Sequence, residues 1–156
     1  MSKKDASWLA QHLRRKKRVL IMAGAQCDQI ELDGKSLLDY AAEISTRMKA
    51  PVAATGNTVT GFRQRGIDTN KAWAIEMVNF TRHEWKHPIM KKKPDAMVFI
   101  GYSPSLAASL ASAVKDAETV VLGNTYVAEA TYSLPDVTSY KAWQQELSEF
   151  VQALEK

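Results

Sequence analysis

Four short loops hold most of the residues that could do chemistry. Gly24-Ala25-Gln26-Cys27, Thr55-Gly56-Asn57-Thr58, Gly101-Tyr102-Ser103-Pro104 and Gly123-Asn124-Thr125 each follow an apolar run. Glycine lets a backbone turn tightly and approach a phosphate. The hydroxyls and amide of Thr55, Asn57 and Thr58 suit an oxyanion or a ribose. Ser103 before Pro104 offers backbone donors at a helix start, an anion-binding geometry. The plainer reading of each is structural: a turn at Gly24 or Gly123, a helix cap by Asn57 or Thr58, a cap by Ser103. The full glycine-x-glycine-x-x-glycine fingerprint is missing after the first strand. These loops nominate Gly24, Ala25, Gln26, Thr55, Gly56, Asn57, Gly101, Tyr102, Ser103, Gly123 and Asn124 as cofactor-binding residues.

Other chemistry-bearing residues carry less. Cys27 would be reactive at a helix N-terminus, but no helix is expected directly after it. His83-Glu84-Trp85-Lys86-His87 puts two histidines four apart, a metal-binding spacing when it lies on a helix. Pro88 ends any helix there, so a metal site is not expected. Asp28, Glu31 and Asp33 form an acidic loop that reads as solvated acids and a cap. No phosphate-binding lysine loop, nucleophile elbow or paired cysteine motif occurs, and no catalytic set is assigned.

The elements that position these loops follow from periodicity. Uninterrupted apolar runs at 18–24, 52–57, 96–103 and 119–124 predict strands of a parallel sheet covered on both faces. The loops past the strands' carboxyl ends then share one edge, where open α/β sheets bind ligands. Helices are expected over 5–17 with Trp8, Leu9 and Leu13 inward, over 35–49 with Asp33 as cap, and over 71–85 after the cap residues Asp68, Thr69 and Asn70. A further helix starts at Ser103-Pro104 with Leu106, Leu110 and Val114 buried. A helical turn is expected in 58–66 and a fifth strand near 136–138. The last helix is capped by Ser139, with Trp143, Leu147, Phe150, Val151 and Leu154 inward. The fold is a three-layer α/β/α sandwich with a mainly parallel sheet, right-handed crossovers and the strand order of dinucleotide-binding domains. Residues 1–156 read as one domain, with 1–17 a basic helix packed on it.

The chain has 156 residues, a net charge of +4 and one cysteine, which excludes an internal disulfide and a cysteine-rich cluster. A reducing, cytoplasmic setting fits. No run approaches the roughly 20 apolar residues that span a bilayer, and the N-terminus lacks the apolar core of a secretory leader. Basic residues concentrate in 1–18 and at Lys91-Lys92-Lys93. Such clusters attract nucleic acid or acidic partners, but they also read as solvated helix and loop ends.

Taken in order, Arg18-Val-Leu-Ile-Met-Ala-Gly24, Pro51-Val-Ala-Ala-Thr-Gly-Asn57, Asn79-Phe-Thr-Arg-His-Glu-Trp85, Asp95-Ala-Met-Val-Phe-Ile-Gly101 and Asn124-Thr-Tyr-Val-Ala-Glu-Ala-Thr-Tyr-Ser133 resemble a known family. It is the epsilon subunit of the archaeal carbon monoxide dehydrogenase/acetyl-CoA decarbonylase-synthase complex. The resemblance runs from about Leu13 onward. It departs at Lys86–Pro94, where the family's loop is longer and glycine-rich, and at Tyr132–Asp136, which replaces a Ser-Phe-Gly-Asn stretch.

The resemblance implies the fold of deoxyhypusine synthase-like NAD/FAD-binding domains. It implies an accessory, non-catalytic subunit of methanogenic one-carbon metabolism that stabilises the large nickel–iron–sulfur subunit. The assembly would be a two-plus-two heterotetramer within a larger complex. FAD held for electron transfer is the implied cofactor. The alternatives are a stand-alone NAD/FAD-binding enzyme, with Cys27, His83 or Asp28 as its candidates, and a nucleic-acid module using the basic N-terminal run.

Overall fold

The computed structural model describes residues 2–69 and 71–155. Its strands are β1 (Ser2–Lys3), β2 (Val19–Ala23), β3 (Glu31–Leu32), β4 (Lys35–Ser36), β5 (Val52–Ala54), β6 (Ala96–Ile100), β7 (Glu118–Val121) and β8 (Tyr132–Ser133). Its α-helices are α1 (Ala6–Arg14), α2 (Leu37–Met48), α3 (Val59–Gln64), α4 (Ala74–Arg82), α5 (Pro104–Ala113) and α6 (Tyr140–Leu154). Across the main sheet the order is β5, β2, β6, β7, β8, β1, and every pair is parallel.

Side chains alternate across a strand, and this divides the core in two. Val19, Ile21, Ala23, Val98 and Ile100 face α1, α2 and α6, through Leu9, Leu13, Leu37, Ile44, Leu147 and Phe150. Leu20, Met22, Met97 and Phe99 face α4 and α5, through Met77, Val78, Ala107 and Leu110. Both faces of the sheet are therefore apolar, which is why the strands read as unbroken runs. The architecture is a Rossmann-like α/β/α sandwich.

The strand order departs from the expected one only at the edges of the sheet. Dinucleotide-binding domains place two strands beyond the first; here only β5 lies beyond β2. The next strand's place is taken by Thr69, Lys71 and Ala72. Ala72 N donates to Ala54 O at 2.9 Å, Thr69 Oγ1 donates to Val52 O, and Lys71 bridges to Ala54 in parallel. Backbone groups on the edge of β5 are satisfied without a full strand.

Helix ends mostly follow their caps. Asp5 accepts from Trp8 N, Ser103 from Leu106 N and Ser139 from Ala142 N. α2 differs: its cap is Ser36, in a reciprocal capping box with Asp39, and Asp33 is not the cap. Asp33 and Gly34 both have positive φ in the turn between β3 and β4, as a tight antiparallel hairpin requires. α4 starts at Ala74, after Trp73 rather than after Asp68 or Thr69, because Thr69 is spent on β5; Asn70 lies outside the described residues. The fifth strand is Tyr132–Ser133 rather than 136–138. Asp136 instead accepts from Tyr126 N at 2.6 Å, and Val137 N donates to Asn124 O, so 136–137 tie the preceding loop.

Candidate functional site at the carboxyl edge

The chain direction switches between β2 and β6. β2 leads through α2 to β5 on one side, and β5 leads back through α4 to β6 on the other. In an open α/β sheet the crevice between two such strands is the default ligand seat. Here it is closed. Gly24 N donates to Ile100 O at 2.8 Å and Gln26 N donates to Gly101 O at 2.9 Å, so the two loops are zipped backbone to backbone. A β-carbon on Gly24 would run into Gly101 O and Tyr102, and one on Gly101 would sit 2.5 Å from Cys27 Sγ. Gly101 also has φ +87°, which favours glycine. Both glycines are required by this close approach.

Cys27 closes the same crevice from inside. It lies in the short 3-10 turn Ala25–Asp28, is fully buried, and sets Sγ 3.4 Å from Ile100 O. Burial pushes its thiol up to about 12, against a smaller opposite effect of the Gly24 hydrogen bond. A thiol so held is not a nucleophile near neutral pH. Burial likewise raises the phenol of Tyr102.

The polar groups of 55–58 are mostly spent on one another. Thr55 Oγ1 donates to Asn57 Oδ1 at 2.9 Å, Asn57 Nδ2 donates to Ala25 O at 3.2 Å and Thr58 Oγ1 donates to Thr55 O at 2.8 Å. They lock this loop to the one after β2. The 123–124 loop stands apart, with Asn124 O accepting from Val137 N. The structure therefore brings Gly24, Ala25, Gln26, Thr55, Asn57 and Gly101 together as a packed seam. Gly123 and Asn124 are separate from it.

What remains open is a cleft of about 330 Å³ beside the seam, bounded by Thr55, Gly56, Lys71, Trp73, Tyr102 and Leu106. It continues over Trp73 and Ile75 into a second hollow of about 630 Å³ along Phe80 and His83. Trp73 is 67% exposed, Ile75 63% and Leu106 42%. These three make an apolar rim where α4 and α5 begin. Leu106 was expected inside; Ala107, Leu110 and Ala111 take that stripe instead. Lys71 Nζ lies 5.5 Å from the Trp73 ring centroid. Neither Lys71 nor Trp73 was nominated as a site residue from the sequence; the Lys-Ala-Trp-Ala-Ile pattern at 71–75 was the signal available.

The histidine pair forms no metal site. α4 ends at Arg82, and His83 is extended. His87 packs against Phe80 and Trp85 and accepts from Ile89 N through Nδ1. No group of three metal-ligating side chains occurs among the described residues. Among the described residues no helix is long and apolar enough to cross a membrane.

A Rossmann-like sandwich whose switch-point crevice is sealed, with an apolar rim beside it, is the class of protein this geometry defines. The chain matches the family described as "CO dehydrogenase beta subunit/acetyl-CoA synthase epsilon subunit" over residues 2–151, and it belongs to that family. Among solved structures it is similar to an alcohol dehydrogenase superfamily protein from Novosphingobium aromaticivorans. The identity is 17% with a TM-score of 0.43, covering 96% of this chain and 46% of that one. The chain thus spans about half the length of that structure. No curated protein sequence matches it.

Proposed function

We propose that this chain is an accessory subunit of a carbon monoxide dehydrogenase/acetyl-CoA synthase complex that binds and stabilises the nickel–iron–sulfur subunit. The family match carries this reading. The described residues agree with it: the one cysteine is buried and protonated, His12 and His87 pack against aromatic rings, and the 55–58 loop spends its polar groups on itself and on Ala25. The surface we assign to the contact is the rim of Trp73, Ile75 and Leu106. Exposed tryptophans flanked by aliphatic side chains are frequent anchors of protein interfaces. A two-plus-two assembly in the cytoplasm belongs to the same reading.

FAD is the cofactor the family resemblance implies. The sealed crevice does not fit its pyrophosphate, because the Gly24–Gly101 approach leaves no room for it. The cleft beside the seam fits one planar ring system: Trp73 and Tyr102 supply aromatic rings, and Lys71, whose stem lies over Gly56, supplies a cation. Bound there, a flavin would supply one- and two-electron transfer. The chain's own residues would stack the ring and hold it at the rim that meets the partner.

The test is co-expression with the catalytic subunit. Trp73→Glu should weaken the complex at least about tenfold, since truncated anchors commonly cost over 1 kcal/mol, while the thermal midpoint of the isolated chain stays unchanged. Undiminished binding by Trp73→Glu would remove the rim from the contact. Flavin released from the wild-type complex and lost in Lys71→Ala would place it in the cleft; a colourless chain within a competent complex would leave only the stabilising role.

A further inference from the structure

The opposite, amino edge of the sheet carries a different surface. Arg18 precedes β2, Lys49 precedes β5, and Lys91 and Lys92 precede β6. Two adjoining grooves there, of about 310 and 780 Å³, share Arg18, Lys49, Ala50, Pro51 and Met90 and so form one trough. Asp68 is the one acid among their lining residues.

Much of the basic charge is not needed by the fold. Lys16 pairs with Glu118, and Arg47 with Glu43 and Glu155. Arg18 Nε donates to Lys93 O at 2.7 Å. Arg14, Lys17, Lys49, Lys91 and Lys92 face no carboxylate at ion-pair distance among the described residues. The C-termini of α1 and α2 end at this trough and contribute about half a negative charge each. One cation would offset both, so most of this positive charge is in excess.

The floor decides between acidic partners. Val19, Met48, Pro51, Ile89 and Met90 make it apolar, and no aromatic ring lines either groove. Single-stranded nucleic acid is held by aromatic stacking platforms as well as cations, and the trough supplies only the cations. Basic walls over an apolar floor match a polypeptide that alternates carboxylates with aliphatic side chains.

We propose that this trough is a second docking surface, which receives an acidic segment of the catalytic subunit across the amino edge of the sheet. The proposal rests on the subunit reading above. Charge complementarity of this kind sets association rate and salt sensitivity more than total affinity.

The experiment uses the co-expressed complex and compares wild type, Lys17→Glu/Lys49→Glu/Lys92→Glu and Trp73→Glu between about 0.05 and 0.5 M salt, a range over which exposed charges become screened. Wild-type affinity should fall steeply with salt. The triple reversal should bind about tenfold more weakly at low salt and show a flatter salt dependence. Should the reversal lower the thermal midpoint, the neutral triple Lys17→Gln/Lys49→Gln/Lys92→Gln replaces it, with the same flattening expected. A triple variant that keeps wild-type affinity and slope, while Trp73→Glu dissociates, overturns the trough and leaves the subunit reading standing. A wild-type chain that never forms the complex overturns both. Tight binding of a single-stranded or duplex DNA oligonucleotide by the isolated chain near physiological salt, lost in the triple variant, overturns the polypeptide assignment.

Discussion

At the scale of single residues, the seam between Gly24 and Gly101 explains why the loops that look most like a nucleotide site are not open as one. Each glycine accommodates the other loop's backbone, and Cys27 fills the space beneath. Gly24→Ala and Gly101→Ala should each cost about 1–3 kcal/mol, the range for overpacking or a forced left-handed backbone, seen as a lower urea midpoint. A midpoint equal to wild type would mean that the loops separate easily. Cys27 should resist thiol reagents in the native protein near neutral pH and react once the chain is unfolded, because burial holds its thiol near 12. Fast labelling of folded protein would contradict that burial. The seam was not readable from the sequence, whereas an unreactive Cys27 was expected there, because no helix was expected directly after it. The glycines stood out, but a turn, a phosphate seat and a contact with a loop over 70 residues away all select glycine.

At the scale of elements, α1 is held to the far side of the sheet by a small polar cluster. His12 Nε2 lies 2.6 Å from Glu118 Oε1, Lys16 Nζ lies 3.2 Å from the same oxygen, and Trp8 stacks on His12 at 4.8 Å. Partial burial pushes the Glu118 carboxyl up, but hydrogen bonds from His12 and Lys16 and the Lys16 charge outweigh it and hold it below the ordinary 4.5. A carboxylate depressed in the folded state stabilises above its unfolded pKa, and that contribution is lost as pH falls through the folded value. Wild type should therefore lose stability on acidification below about 4.5, and Glu118→Gln should flatten that limb while being less stable at neutral pH. Parallel acid limbs for the two proteins would show that the cluster does not anchor α1. Packing of α1 on α6 is the larger contribution: Leu147→Ala, at a fully buried position, should cost about 2–5 kcal/mol in chemical denaturation. A cost well under 1 kcal/mol would mean that the α1–α6 core refills the cavity.

The long elements were legible because both signals used to find them, apolar runs and helical spacing, are local. β2, β5, β6 and β7 coincide closely with their runs, and α6 buries the five residues its periodicity marked. β1, β8 and the β3–β4 hairpin are two-residue strands that exist only through their partners, so no period identifies them. Asp33-Gly34 did carry a hairpin-turn pattern, but the same aspartate also fits a helix cap, and Ser36 was the cap. Trp8 read as core; it is 36% exposed, although His12 and Tyr132 pack against its ring and Lys4 Nζ lies 4.7 Å from its centroid.

At the scale of the whole molecule, the two edges of one sheet present opposite chemistries. The carboxyl edge offers Trp73, Ile75 and Leu106 beside a ring-sized cleft, and the amino edge offers unpaired cations over an apolar floor. The segment 86–94 supplies Ile89, Met90, Lys91 and Lys92 to that second surface. The resemblance noted in the sequence and the family match agree. The basic clusters in 1–18 and at Lys91–Lys93 stood out in the sequence, but that they meet in one trough with 45–51 and 66–68 did not, nor did the rim, because Trp73 and Lys71 come from a segment that edges β5.

The most direct measurement is native mass spectrometry of this chain co-expressed anaerobically with a nickel–iron–sulfur carbon monoxide dehydrogenase subunit. The account predicts one complex with equal numbers of the two chains, which dissociates when Trp73 is changed to glutamate. A spectrum holding only free chain beside an intact, active catalytic subunit would contradict it.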